Sequence, residues 1–103
     1  MLESRYQANL CKRLRQDLPG CWIQKEPTHQ VQGIPDLLIL WGPNWARLEV
    51  KRSANEPYQP NQEYYLELFG NMSFTATIYP ENEEEVLNDL YFAFGVGQQT
   101  CST

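Results

Sequence analysis

Apolar side chains at Leu2, Tyr6, Leu10, Leu14 and Leu18 recur every fourth residue, the spacing of an amphipathic helix. Pro19-Gly20 stops it. Arg5, Lys12 and Arg15 fall within roughly an 80° arc on another face of that helix, at 100° per residue. The segment Cys21-Trp22-Ile23-Gln24-Lys25-Glu26 reads as a strand closed by Pro27. After Gly33-Ile34-Pro35, the nearly all-apolar run Asp36-Leu37-Leu38-Ile39-Leu40-Trp41 ends at Gly42-Pro43-Asn44, which favours a central strand over a helix. Residues 45–51 alternate. Ala46, Leu48 and Val50 point one way and Arg47, Glu49 and Lys51 the other, giving a strand with one polar face.

Pro60 suits the first turn of a second helix and Gly70-Asn71 its end, with Gln62, Tyr65, Leu66 and Phe69 on the inner face. Residues 73–79, rich in Thr, Ile and aromatics, predict a fourth strand. Asn82, with Glu85 three residues on, resembles a capping box opening a third helix with the stripe Val86, Leu87, Leu90, Tyr91 and Phe94. Glu83-Glu84-Glu85 sits where a helix dipole favours negative charge and reads as capping. The order α-β-β-β-α-β-α predicts an α/β fold, a central mixed sheet flanked by helices. One domain is expected over residues 1–95, with a flexible tail over residues 96–103.

A chain of 103 residues builds a small core, so self-association is a natural way to bury more surface. No apolar run approaches the ~18 residues of a membrane span, and the first residues lack the order of a signal peptide, so a cytoplasmic location is expected. Cys11, Cys21 and Cys101 form no metal-binding spacing. Two are expected to pack as small apolar groups, with the third in the polar tail. The net charge of −5 argues against a nucleic-acid partner until its distribution is considered. Residues 1–52 hold all 8 basic residues against 5 acidic ones, whereas residues 53–103 hold 8 acidic residues and no Lys or Arg. Such asymmetry fits one face that meets phosphate and another turned away.

Asp36, Glu49 and Lys51 carry the chemistry. Asp36 opens an apolar strand, where an ionised carboxylate is costly without a partner or a metal. Glu49 and Lys51, two apart on a strand, project from one face. Two carboxylates a few ångströms apart repel unless a cation lies between them, and hard oxygen ligands suit Mg²⁺. A lysine beside that cation can orient a water and offset charge on a phosphate. All three groups share a face only if strand pairing matches odd with even numbers. A four-residue connection over 42–45 does so, pairing Asp36 with Lys51 and Leu38 with Glu49. An unbulged three-residue loop would not.

Gly33-Ile34-Pro35-Asp36 followed by Glu49-Val50-Lys51 resembles the signature of the PD-(D/E)XK nuclease superfamily, and in particular its small VRR-NUC branch, which occurs as stand-alone phage proteins. Gln62 stands where that branch has a glutamine on the following helix. The resemblance spans roughly residues 3–80 and implies a restriction-endonuclease-like αβββαβ core with an extra C-terminal helix. It implies hydrolysis of DNA phosphodiesters with Mg²⁺, for which Mn²⁺ substitutes. Asp36, Glu49 and the Val50 carbonyl would hold the metal, and Lys51 would serve the water.

Glu3, on the first helix, is a further candidate ligand or else a helix-start carboxylate. Gln62 acts at the site or makes a structural hydrogen bond. Arg5, Lys12, Arg15 and Arg52 are candidate phosphate contacts, and His29 reads as an exposed loop residue. The expected function is a divalent-metal-dependent DNA endonuclease selective for four-way junctions or other branched DNA. Such an enzyme would act as a homodimer, with no membrane and no organic cofactor. Trp41, Trp45, Tyr58, Tyr64 and Phe92 are aromatics available to that dimer interface. A nicking or end-processing nuclease is the close alternative. A non-catalytic DNA- or protein-binding module that kept the fold, and an acidic interaction protein, are alternatives of other classes.

Overall fold

The computed structural model describes residues 2–27 and 31–97. His29 and Cys101 lie outside the described residues, as does the expected tail beyond Gly97. The four-residue apolar period forms helix α1 (Glu3–Asp17), with Tyr6, Leu10, Cys11 and Leu14 buried. Three strands follow: β1 (Trp22–Lys25), β2 (Leu37–Trp41) and β3 (Asn44–Val50). Helix α2 (Gln62–Gly70), strand β4 (Phe74–Ile78), a short 3₁₀ turn (Pro80–Asn82) and helix α3 (Glu83–Ala93) complete the chain. The strand order is β1-β2-β3-β4, antiparallel except for the parallel β3–β4 pair. This is the expected mixed sheet with helices on both faces.

Alternation along the strands sorts the side chains. Leu37, Ile39, Ala46, Leu48, Val50 and Ile78 are fully buried in one core with Leu10 and Leu14 of α1 and Leu87 and Leu90 of α3. Helices α1 and α3 therefore cover one face of the sheet. Arg13 ties them together, bonding Glu83 at 2.6 Å and also Glu84. The acidic start of α3 thus serves an ion pair as well as the helix dipole. The other face carries Leu38, Arg47 and Glu49 and receives α2, whose Phe69 lies edge-on to Trp45 and 5.1 Å from the Arg47 guanidinium.

Several local expectations change. The β2–β3 connection is two residues, not four. Trp41 pairs with Asn44 and Leu37 with Leu48, so Asp36 falls opposite Glu49 rather than Lys51. Gly42 at φ +58 followed by proline has the sign pattern of a type II′ turn, which matches the twist of a hairpin. The register shifts by two, so the odd-to-even pairing survives. Pro60 precedes α2, which starts at Gln62 after Asn61 in the left-handed conformation (φ 70). Asn82 makes no cap with Glu85. Its side chain accepts from the Tyr79 amide (2.8 Å) and donates to the Thr77 carbonyl (3.1 Å), closing the turn before α3. Trp41 and Trp45 are half-buried and engaged within the chain. Trp41 stacks on Phe94 and donates to the Pro19 carbonyl at 3.0 Å, while Trp22 is 64% exposed instead. Cys11 is buried and Cys21 partly so, both as free thiols. Burial pushes both pKa values up, which suits packing and not reactivity. No described helix is long and apolar enough to cross a membrane.

Candidate active site

Asp36, Glu49, Lys51 and Gln62 meet on the α2 face of the sheet, at the end where β2 begins and β3 finishes. Asp36 is held by backbone on two sides. Its carbonyl accepts from the Glu26 amide at 2.7 Å, and its Oδ2 accepts from the Val50 amide at 2.8 Å. Glu49 is 2% exposed. Its Oε2 accepts from Gln62 Nε2 at 2.8 Å and lies 3.6 Å from Lys51 Nζ, whereas no donor group reaches its buried Oε1 and the carboxyl otherwise meets that of Asp36. Lys51 Nζ donates to Gln62 Oε1 at 2.8 Å and to the Pro57 carbonyl at 3.2 Å, and it lies 5.5 Å from the centre of the Tyr58 ring. Gln62 therefore binds the carboxylate through its amide nitrogen and the lysine through its oxygen, fixing their separation. It is also held from below, since Oε1 accepts from the Gln59 amide at 2.6 Å.

The electrostatics are those of a crowded carboxylate pair. Burial, then the neighbouring charge of Asp36, pushes the Glu49 carboxyl up to about 8, although Lys51 opposes the shift. Burial also raises Asp36, against the pull of the Val50 amide, Glu49 and Lys51. Two acids that resist ionisation in a shared pocket form a site that a cation would relax.

Glu3 lies at the rim. Burial raises its pKa, followed by the charge of Glu56 and a hydrogen bond to it, with Asp36 also contributing. Glu56 gave no signal in the sequence, being an acid in the irregular loop after Lys51. Its Oε1 accepts from the Arg52 amide at 2.8 Å, and its Oε2 sits 3.9 Å from Lys51 Nζ. Burial pulls its pKa upward, but the bonds from Arg52 and Glu3 outweigh this and hold it low. Arg52 is thus engaged with Glu56 while remaining largely exposed.

A second unforeseen pair braces Asp36. Arg47, 15% exposed at its side chain, bonds Glu26 Oε1 at 3.0 Å and the Pro35 carbonyl at 3.3 Å. The alternation marks Arg47 as a polar-face residue like Glu49 but says nothing of its burial beneath Phe69. Arg5, Lys12 and Arg15 are exposed on the outer side of α1, across the sheet from α2.

Among the described residues no group of three or more His, Cys, Asp or Glu side chains is arranged to hold a metal ion. The side-chain donors for one are Asp36 and Glu49. This set fits Mg²⁺, which keeps several waters and takes one or two carboxylates plus substrate phosphate. Glu49 Oε1, which no donor group reaches, is an oxygen such an ion could take.

Comparison with protein-family models gives no match, and comparison with curated proteins gives none. Solved structures do match. One described as "VRR_NUC domain" superposes with a TM-score of 0.68 at 21% identity, covering 84% of this chain and 94% of the other. Another, "VRR_NUC domain protein", gives 0.69 at 18% identity and covers 90% of each chain. Superposition over 84% and 90% of this chain shows that it has the fold of these VRR-NUC domain proteins.

Proposed function

We propose that this protein is a divalent-metal-dependent endonuclease that hydrolyses DNA phosphodiester bonds and prefers branched DNA such as four-way junctions. The buried Glu49 and Asp36 carboxyls facing each other, with Lys51 fixed beside them by Gln62, carry this reading. Two buried carboxyls set against each other, each raised by burial, are costly in a merely structural site, and a cation between them removes that cost. In the proposed site Asp36, Glu49 and the Val50 carbonyl would hold Mg²⁺ or Mn²⁺, with Glu3 a further candidate ligand at the rim. A bound cation acidifies a coordinated water and offsets charge on the phosphate. Lys51 orients that water and meets the charge growing on the phosphate oxygens. Gln62 keeps Lys51 and Glu49 from collapsing into a closer ion pair. Arg52 meets a phosphate beside the site, and Arg5, Lys12 and Arg15 on the outer side of α1 meet phosphates of DNA that passes round the edge of the sheet, so affinity falls with salt as counterions are released.

Two symmetric incisions require two sites, and a homodimer supplies them. Light scattering then reports about twice the 12.0 kDa chain mass; a strict monomer with and without DNA favours a nicking or end-processing enzyme. The decisive test incubates the protein with single-stranded, duplex, flap and four-way-junction DNA, with and without Mg²⁺. Cleavage only with metal, fastest on a branched substrate, is expected. No cleavage of any of them with Mg²⁺ or Mn²⁺ overturns the proposal.

A further inference from the structure

Asp36 and Gln62 also form the inner wall of a cleft of about 190 Å³, walled outside by Pro27, Val31, Gln32, Ile34 and Gln59, with Glu26 at its end. We propose that this cleft is a subsite for one unpaired nucleobase of the strand being cut, next to the scissile phosphate. The inference rests on the nuclease reading and adds to it the feature by which substrates are chosen.

Charge decides what enters. Among the described residues no Lys or Arg lines the cleft, and the charged ones that do, Glu26 and Asp36, are both acids. Glu26 is neutralised by Arg47 and Asp36 is taken by the proposed metal, which leaves no cation in the cleft to hold a second phosphate, so the backbone runs past and a neutral group points in. The surface then specifies which neutral group. Val31, half exposed, together with Ile34 and Pro27, offers an apolar wall. The carboxamides of Gln32 and Gln59 add donors and acceptors of the kind that pair with base edges. The volume lies below the roughly 300 Å³ at which pockets for larger ligands begin, so it admits one ring system and not a stacked pair.

The walls are fixed before any ligand arrives. Gly33 sits at φ +98 against Asn61, so closely that a Cβ would lie 2.7 Å from the Asn61 backbone. The Gln59 amide is bound to Gln62 Oε1. Both walls are therefore anchored to the start of α2, the same turn that presents Gln62 to Glu49 and Lys51. A base held in the cleft is held in register with the reacting phosphate. A fully paired duplex must unstack a nucleotide to fill the cleft, at a cost of a few kcal/mol. A flap, junction or single strand supplies one without that cost.

The test uses a flap substrate cut with Mg²⁺, with an abasic residue placed in turn at each position around the cut. One position next to the scissile phosphate should lower kcat/KM by ~10-fold or more, the scale of a lost base contact, with little effect elsewhere. Val31→Trp, which fills the cleft from an exposed loop position, should remove both that abasic effect and the preference for flap over duplex. In EDTA, a single-stranded oligonucleotide carrying 2-aminopurine should show a saturable fluorescence change that Val31→Trp abolishes. Cleavage that ignores every abasic position, or a Val31→Trp loss equal on flap and duplex, overturns the subsite and leaves the nuclease standing. A 2-aminopurine signal without cleavage of any DNA overturns the nuclease and leaves the base subsite. Neither signal nor cleavage overturns both.

Discussion

Replacing Glu49 by glutamine should abolish cleavage and at the same time stabilise the metal-free protein. The Glu49 carboxyl is raised from 4.5 to about 8 in the folded chain, so between those values the folded state binds a proton that the unfolded state has released. Stability is therefore present at low pH and drains away as pH rises towards 8, at ~1.4 kcal/mol per unit. At pH 7 the accumulated cost is about 3 kcal/mol. The carboxamide is neutral throughout and keeps the size of the side chain. Its oxygen can still accept from Gln62 Nε2, and its new N–H groups face Asp36. Lys51 retains Gln62, the Pro57 carbonyl and Glu56. After discounting imperfect carboxamide geometry, a net gain of about 2 kcal/mol remains, or roughly 10 °C in Tm for a domain of this size. Melts followed by circular dichroism in EDTA should nearly coincide for the two proteins at pH 5 and separate at pH 8. Adding Mg²⁺ should raise only the wild type. Asp36 titrates together with Glu49, so the gap between the two proteins reports the carboxyl pair. If the variant is equally or less stable at pH 8, with no dependence of the gap on pH, Glu49 is a satisfied structural carboxylate and the metal assignment fails.

Asp36→Asn should stay folded but lose metal affinity by titration calorimetry, along with nearly all cleavage. Lys51→Ala should still bind DNA and metal but cut ~10²–10⁴-fold more slowly in single-turnover assays; a loss confined to DNA affinity would make Lys51 a phosphate contact. Gly33→Ala should lower stability by about 2 kcal/mol or more in urea titrations, because a Cβ there combines a left-handed backbone with a clash against Asn61. Arg47→Met leaves Glu26 without its cation and should cost about 3 kcal/mol. Replacing both Arg47 and Glu26 with apolar residues should restore stability but not metal affinity, since Asp36 then loses its brace.

The parts of this site legible in the sequence were those written in a short period. Alternation over residues 45–51 placed Glu49 and Lys51 on one side, and the apolar run after Asp36 marked a central strand. Gln62 stood out because it interrupts an otherwise apolar helix face. Glu56 and the Arg47–Glu26 pair were not legible, for a physical reason. Glu56 belongs to a loop with no repeat. The burial of Arg47 depends on α2 crossing β3, a packing event between segments some twenty residues apart. The hairpin length was misjudged because Gly42-Pro43-Asn44 is turn-rich throughout, and only the conformation of Gly42 shows where the ladder starts.

That hairpin determines how the candidate site withstands length changes in its gene. Glu49 and Lys51 alternate along the chain with Leu48 and Val50, so any slip of β3 by one residue would exchange the two sets. Ala46, Leu48 and Val50 are completely enclosed, and turning branched residues such as Leu48 and Val50 out to water costs about 1.5–3 kcal/mol each. An extra codon at the turn is therefore forced out as a bulge or a longer loop, leaving the acids and the lysine where they were. Oil-like packing on one side of the sheet acts as proofreading for the chemistry on the other. The length of the tip is free to drift over evolutionary time while the parity of the ladder is not.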